Sequence, residues 1–211
     1  YTPPSAEEME QRQARAKARQ EADALELAKE QAKAKGLANY IWSKGEKADP
    51  SHPYLVSKGI TDKAVLDSIR QNTYKGQDNL LIPVIHEKEI VSMQFIGANG
   101  DKKFISGGQV SGAYHLVGDA SKWQEGLIMA EGYATAASIK QATGKPVVMA
   151  FNAGNLVSVA ERLSQKLPEH VPITIAADND ASLTGINKAN EEAAYFGDRA
   201  KVIMPEFNPS L

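Results

Sequence analysis

The spacing of apolar residues changes character three times along the 211 residues. From Ser5 to about residue 44, alanine and alternating-sign charge dominate, and large apolar side chains are almost missing before Leu25. This predicts one long helix whose first half is a solvated arm, since it has no stripe to bury. Ser5 followed by Glu8 is a capping-box pattern that would start it. Leu25, Leu27, Leu37, Ile41 and Trp42 are the expected docking residues, and Gly36 the expected point of interruption. Pro50-Ser51-His52-Pro53 then punctuates the chain. A short helix is expected at Tyr54-Leu55-Val56 and a second over Asp62 to Arg70, with Thr61 as its cap.

From residue 72 to 118 the period shortens to that of strands: Leu80 to Ile85, Ile90 to Ile96, Lys103 to Ile105 and Tyr114 to Val117, with a hairpin turn at Asn99-Gly100. A small antiparallel sheet is expected there. After Gly126 strands and helices alternate: strands at 127–130, 146–151, 171–177 and 200–204, helices at 133–143, 155–167 and 185–196. Such alternation predicts a parallel sheet covered on both faces. The fold class is α/β: a parallel-sheet domain preceded by a small α+β subdomain of antiparallel strands and a long N-terminal helix. The expected boundaries are a helical arm at 1–50, an N-terminal subdomain at 51–124 and the parallel-sheet domain at 125–211. No internal repeat is visible.

Composition narrows this picture. The chain contains no cysteine, which excludes disulfides, zinc-finger modules and cysteine nucleophiles and fits a reducing compartment, so a cytoplasmic location is expected. No apolar run approaches the roughly 20 residues that span a bilayer. The opening Tyr1-Thr2-Pro3-Pro4 is unlike a signal peptide, and a chain starting without Met is expected to be part of a longer protein. A net charge of −2 gives no bulk attraction to nucleic acid, so any such binding needs a local basic patch.

Three carboxylates stand at predicted strand ends. Glu131 follows Leu127 to Ala130, and Asp178 and Asp180 follow Ile173 to Ala177. Acids at the carboxyl ends of neighbouring parallel strands converge on one edge of a sheet, where α/β proteins build their sites. Hard oxygen donors suit Mg²⁺ or Mn²⁺ better than zinc. The same residues also fit plainer roles. Glu131-Gly132 can begin the next helix, its charge favoured at the helix N-terminus, and Asp178-Asn179-Asp180 can be a turn. Gly144-Lys145-Pro146 lacks the glycine-rich loop of a P-loop, and His52, His86, His115 and His170 show no ligand spacing.

Glu131-Gly132-Tyr133-Ala134-Thr135-Ala136 with Asp178-Asn179-Asp180 resembles the pattern of the TOPRIM domain, shared by bacterial-type primases, topoisomerases and some nucleases. Asn79 to Val84, Val91 to Ile96 and Gly100 to Ile105 are similar to the N-terminal half of the primase catalytic core. His52-Pro53-Tyr54-Leu55, Lys58-Gly59-Ile60 and Ala150 to Leu156 resemble TraC-like primases of conjugative plasmids and phage elements. The resemblance covers roughly residues 40 to 207 and implies a DNA primase core making primers on single-stranded DNA in replication or conjugative transfer.

It further implies that Asp178 and Asp180 hold divalent metal, and that Glu131 is a further ligand or manages the proton of the attacking hydroxyl. Lys102 and Lys103 fall where the family has a basic ridge against the template, with Phe104 as a stacking surface; a solvated turn is the plainer reading of the lysines. Implied partners are single-stranded DNA template and nucleoside triphosphates, with a helicase, relaxase or zinc-binding module outside this fragment as further candidates and no membrane. Two departures stand out. Gly107 to Ala113 lacks the lysine-glycine pair of replicative primases, and Glu206 is the one acid where those enzymes have a further cluster. Asp180 and Gly185 are also spaced more widely than in the replicative pattern. A TOPRIM nuclease and a non-catalytic DNA- or partner-binding module are the rival readings.

Overall fold

The computed structural model describes residues 5–74, 76–177 and 184–204. Helix α1 runs over Ala6–Lys44 without a break. Its capping box forms as the sequence predicts: Ser5 Oγ accepts from Glu8 N–H at 3.2 Å, and Glu8 Oε2 accepts from Ser5 N–H at 2.8 Å. Gly36 does not interrupt it. The glycine faces open space and lowers helix propensity by about 1 kcal/mol, too little to break a helix whose last turns are docked. Of the five expected docking residues, Ile41 and Trp42 dock. Ala34 and Ala38, with Ile41 and Trp42 beside them, pack on Leu81, Met93 and Ile105. Leu25, Leu27 and Leu37 stay exposed, because α1 packs against sheet strands only through its C-terminal part and its small alanines let the backbone approach closely.

Strands β1 (Glu46–Lys47), β2 (Arg70–Tyr74), β3 (Gln77–His86), β4 (Glu89–Gly97) and β5 (Lys102–Phe104) form an antiparallel sheet in that order. Between β1 and β2 lie short helices α2 (Pro53–Ser57) and α3 (Lys63–Leu66). Asp62, not Thr61, caps α3, its carboxylate accepting from Val65 N–H at 3.1 Å, and the helix stops before Arg70 enters β2. Pro83 fits inside β3 because β2 pairs only as far as Leu81, leaving Pro83 a partner on the β4 side alone.

The second sheet has the order β10-β9-β7-β8-β6, built from β6 (His115–Val117), β7 (Leu127–Ala130), β8 (Val147–Met149), β9 (Ile173–Ala176) and β10 (Ala200–Ile203). It is parallel except for β6, which pairs antiparallel with β8. β6 therefore leaves the antiparallel sheet in which its sequence placed it; Tyr114 alone keeps a bridge there, exchanging backbone bonds with Ile85 at 2.8 and 3.0 Å. Helix α4 (Tyr133–Thr143) covers one face, α5 (Ala153–Ser164) and α6 (Thr184–Ala194) the other. β7 shows why both faces close: Ile128 and Ala130 join the core shared with the first sheet, while Leu127 and Met129 join the core under α5 and α6. Among the described residues no helix is long and apolar enough to cross a membrane.

Polar joints lock the two sheets together. Asn155, at the start of α5, accepts from Gly112 N–H at 2.7 Å and donates to Ala113 and Ala150 carbonyls at 2.8 Å each. Arg162 donates to Gly112 O at 2.6 Å and reaches His86 Nδ1 at 2.7 Å. Gln141 of α4 accepts from Thr61 and Asp62 N–H and donates to Gly59 O.

Candidate active site at the strand ends

Glu131 is the first residue beyond the fully buried strand β7, the centre of the parallel sheet. The apolar run before it has no freedom to shift, since β7 is paired on both sides and buried on both faces. Gly132 then caps α4 without a side chain, leaving the first backbone N–H groups of the helix uncapped beside Glu131. A Cβ at Gly132 would lie 3.8 Å from Lys102 Nζ, so the Lys102 ammonium sits over the Glu131-Gly132 turn.

Glu131 shares a small recess with Ala153, Ile175, Ala177, Lys188 and Glu192. Glu192 enters from α6 and is wholly buried, and neither carboxyl oxygen has a hydrogen-bond partner among the described residues. Burial pushes its pKa up to about 8, aided by the Glu131 and Glu191 charges and opposed by the Lys188 ammonium. The recess thus holds a buried carboxyl that keeps its proton at neutral pH, beside Glu131 and the Lys188 ammonium. A bound cation would favour the ionised form of that carboxyl.

Asp178 and Asp180 lie outside the described residues, as does Glu206. The last described residue before them, Ala177, lines the recess and donates its N–H to Ile203 O at 2.9 Å. Among the described residues no three His, Cys, Asp or Glu side chains cluster as a metal site.

The Lys102-Lys103-Phe104 run is divided by the pleat of β5. Lys102 and Phe104 lie opposite Ile96 and Gln94 and face the parallel sheet; Lys103 lies opposite Phe95 and faces α1. Phe104 meets Phe151 edge-on, with ring centroids 5.6 Å apart and planes at 71°. Phe151 follows β8 in a left-handed conformation (φ +73°), which costs a non-glycine residue on the order of 1 kcal/mol and turns its ring toward the cleft. β5 thus meets the ends of β7 and β8 along a seam (the cleft), marked by Lys102 over the Glu131-Gly132 turn and by Phe104 against Phe151.

Sequence reasoning overlooked Glu192, Asn155 and Phe151 as parts of this region. Glu192 had a signal: it interrupts the inward face of α6 between Ala189 and Phe196, both buried. The roles of Asn155 and Phe151 depend on long-range contacts. Two of the histidines serve the fold: His52 caps α2, and His115 is buried beside Ser68 and Tyr133.

Comparison with known proteins adds three findings. Residues 126–208 match the Toprim domain family. Two curated relatives, each a DNA primase TraC from Escherichia coli, are 37% identical, one over 165 residues and the other over 169. Those alignments cover 75% and 74% of this chain but 11% and 15% of the relatives, so the chain spans a small part of either. No solved structure matches the chain.

Proposed function

This is a TraC-like chain carrying a Toprim domain, and from that premise we propose that it is the catalytic core of a DNA primase. The reaction is template-directed joining of nucleoside triphosphates on single-stranded DNA, with release of pyrophosphate, in replication or conjugative transfer. The observation that carries this reading is the recess at the end of β7. There Glu131 stands beside the buried carboxyl of Glu192, which has no hydrogen-bond partner among the described residues, with the Lys102 ammonium above the neighbouring turn.

The donor set suits a hard divalent cation. All candidate donors are carboxylates, and Glu192 adds a buried carboxyl beside Glu131 that has no hydrogen-bond partner among the described residues. Glu131, Asp178 and Asp180 are the residues that would hold Mg²⁺ or Mn²⁺. When bound, the metal would neutralise the triphosphate and the charge that develops on the attacking and leaving oxygens.

The chain's own groups supply the rest. Glu131 either completes the ligand set or accepts the proton of the attacking 3′-hydroxyl. Lys102 offers its ammonium to phosphate oxygens at the mouth of the cleft. Phe104, held by Phe151, presents an aromatic face to a template base. Lys102 and Phe104 would orient the strand beside Glu131.

The test is incubation of the full chain with Mn²⁺ or Mg²⁺, single-stranded DNA and labelled triphosphates. Extension products are expected. Shortened template in their place would make the chain a nuclease, and absence of calorimetric Mn²⁺ and Mg²⁺ binding would make it a non-catalytic binding module.

A further inference from the structure

Beyond the cleft, on the other side of β5, α1 and the antiparallel sheet enclose a groove of about 660 Å³, roomy enough for a nucleotide-sized group. Its walls carry Tyr40 and Lys44 from α1, Asn72 and Tyr74 from β2, and Lys103 and Phe104 from β5. Tyr40 and Tyr74 are 62% and 63% exposed, the largest values among the described aromatic residues at the surface. Among the described residues that line the groove there is no Asp or Glu, while two lysines stand beside the apolar Leu37, Ile41 and Phe95.

We infer that this groove is a track for single-stranded nucleic acid, continuous over the edge of β5 with the cleft at Glu131. Three observations converge on that occupant. Aromatic faces set among cations are the combination on which unpaired bases stack while phosphates pair with lysine. The two lysines, with no carboxylate among the described lining residues, are complementary to a polyanion. Phe104 belongs to both places, lining the groove and meeting Phe151 of the cleft, and the pleat of β5 puts Lys102 on one side of the edge and Lys103 on the other. A strand crossing that edge passes both lysines in turn. Asp78 and Asp101 line an adjoining hollow that shares Gln77, Asn79, Phe95 and Lys103 with the groove, and bound the track there with negative charge.

The track rests on the primase reading for the identity of its ligand, but its test needs neither metal nor triphosphate. Fluorescence anisotropy of the full chain with an oligo-dT and with an abasic oligonucleotide of equal length separates stacking from phosphate contact. Tyr40→Ala and Tyr74→Ala should each weaken oligo-dT binding about 10-fold and leave abasic binding unchanged. Tyr40→Phe and Tyr74→Phe should restore it. Lys44→Ala and Lys103→Ala should weaken both ligands and each flatten the salt slope by about 0.7. Both tyrosines are so exposed that truncation leaves the core intact, which unchanged melting temperatures would verify. Unaltered oligo-dT affinity in both alanine variants would overturn the track and leave the groove to a protein segment. If the tyrosine effects appear but the chain makes no primers, the track stands and the catalytic reading falls. Priming with unaltered affinity does the reverse.

Discussion

Glu192 sets the electrostatics of the recess, and its titration is measurable. The folded chain holds the proton on Glu192 up to about pH 8, whereas the unfolded chain releases it near 4.5. Between those values the folded state binds the extra proton, so stability falls as pH rises through the window. His115 acts in the opposite sense at lower pH. Burial holds its pKa near 3 against 6.5 for the free ring, so stability falls as pH drops below 6.5. In metal-free buffer, Glu192→Gln should therefore match the parent near pH 5. At pH 9 it should be more stable by roughly 2 kcal/mol, seen as a melting temperature raised by about 4–8 °C. Equal melting temperatures at pH 9 would mean that Glu192 is paired after all. Tyr133 is a second buried residue whose hydroxyl has no partner among the described residues. Tyr133→Phe should leave thermal stability unchanged or raise it by up to about 1 kcal/mol.

At the scale of elements, the joints between sheets decide how well the cleft is held. Asn155→Ala would leave the Gly112 N–H and the Ala113 and Ala150 carbonyls without their side-chain partner in a buried setting. Denaturant unfolding should show a loss of about 2–4 kcal/mol, larger than an exposed asparagine would give. The elements themselves were legible because their signals are local. The capping box of α1 and the period of the α4, α5 and α6 segments depend on neighbours three or four residues away. Partnership between strands is not local, which is why β6 was assigned to the wrong sheet and β1 and β2 were passed over. The turn between β3 and β4 was hidden for a related reason. Glu87 and Lys88 take left-handed conformations (φ +50° and +69°) normally reserved for Asn and Gly. Contacts of Glu87 with Lys166 and Arg162 of the other sheet help to hold that turn. At the site, Glu131 was readable from its place after an apolar run. The division of Lys102 from Lys103 needed the register of β5 against β4.

For the molecule as a whole, the two sheets share one core, and the N-terminal half of α1 stands apart from it. Residues 7–30 bury no side chain fully, and the ion pairs Lys17–Glu21, Arg19–Asp23 and Glu26–Lys29 are exposed, so each adds only a few tenths of a kcal/mol to helix stability. Deleting residues 1–26 should shift the melting temperature by less than about 2 °C, whereas extending the deletion through Trp42 should expose Leu81 and Met93 and destabilise the fold severely. The central claim is that the acids at the strand ends drive primer synthesis. Labelled-triphosphate incorporation on single-stranded DNA, compared between the parent and Glu131→Gln, Asp178→Asn and Asp180→Asn, tests it most directly. The account predicts primers from the parent and at least a 100-fold loss in each variant, with melting temperatures kept. Full incorporation by all three variants would contradict it.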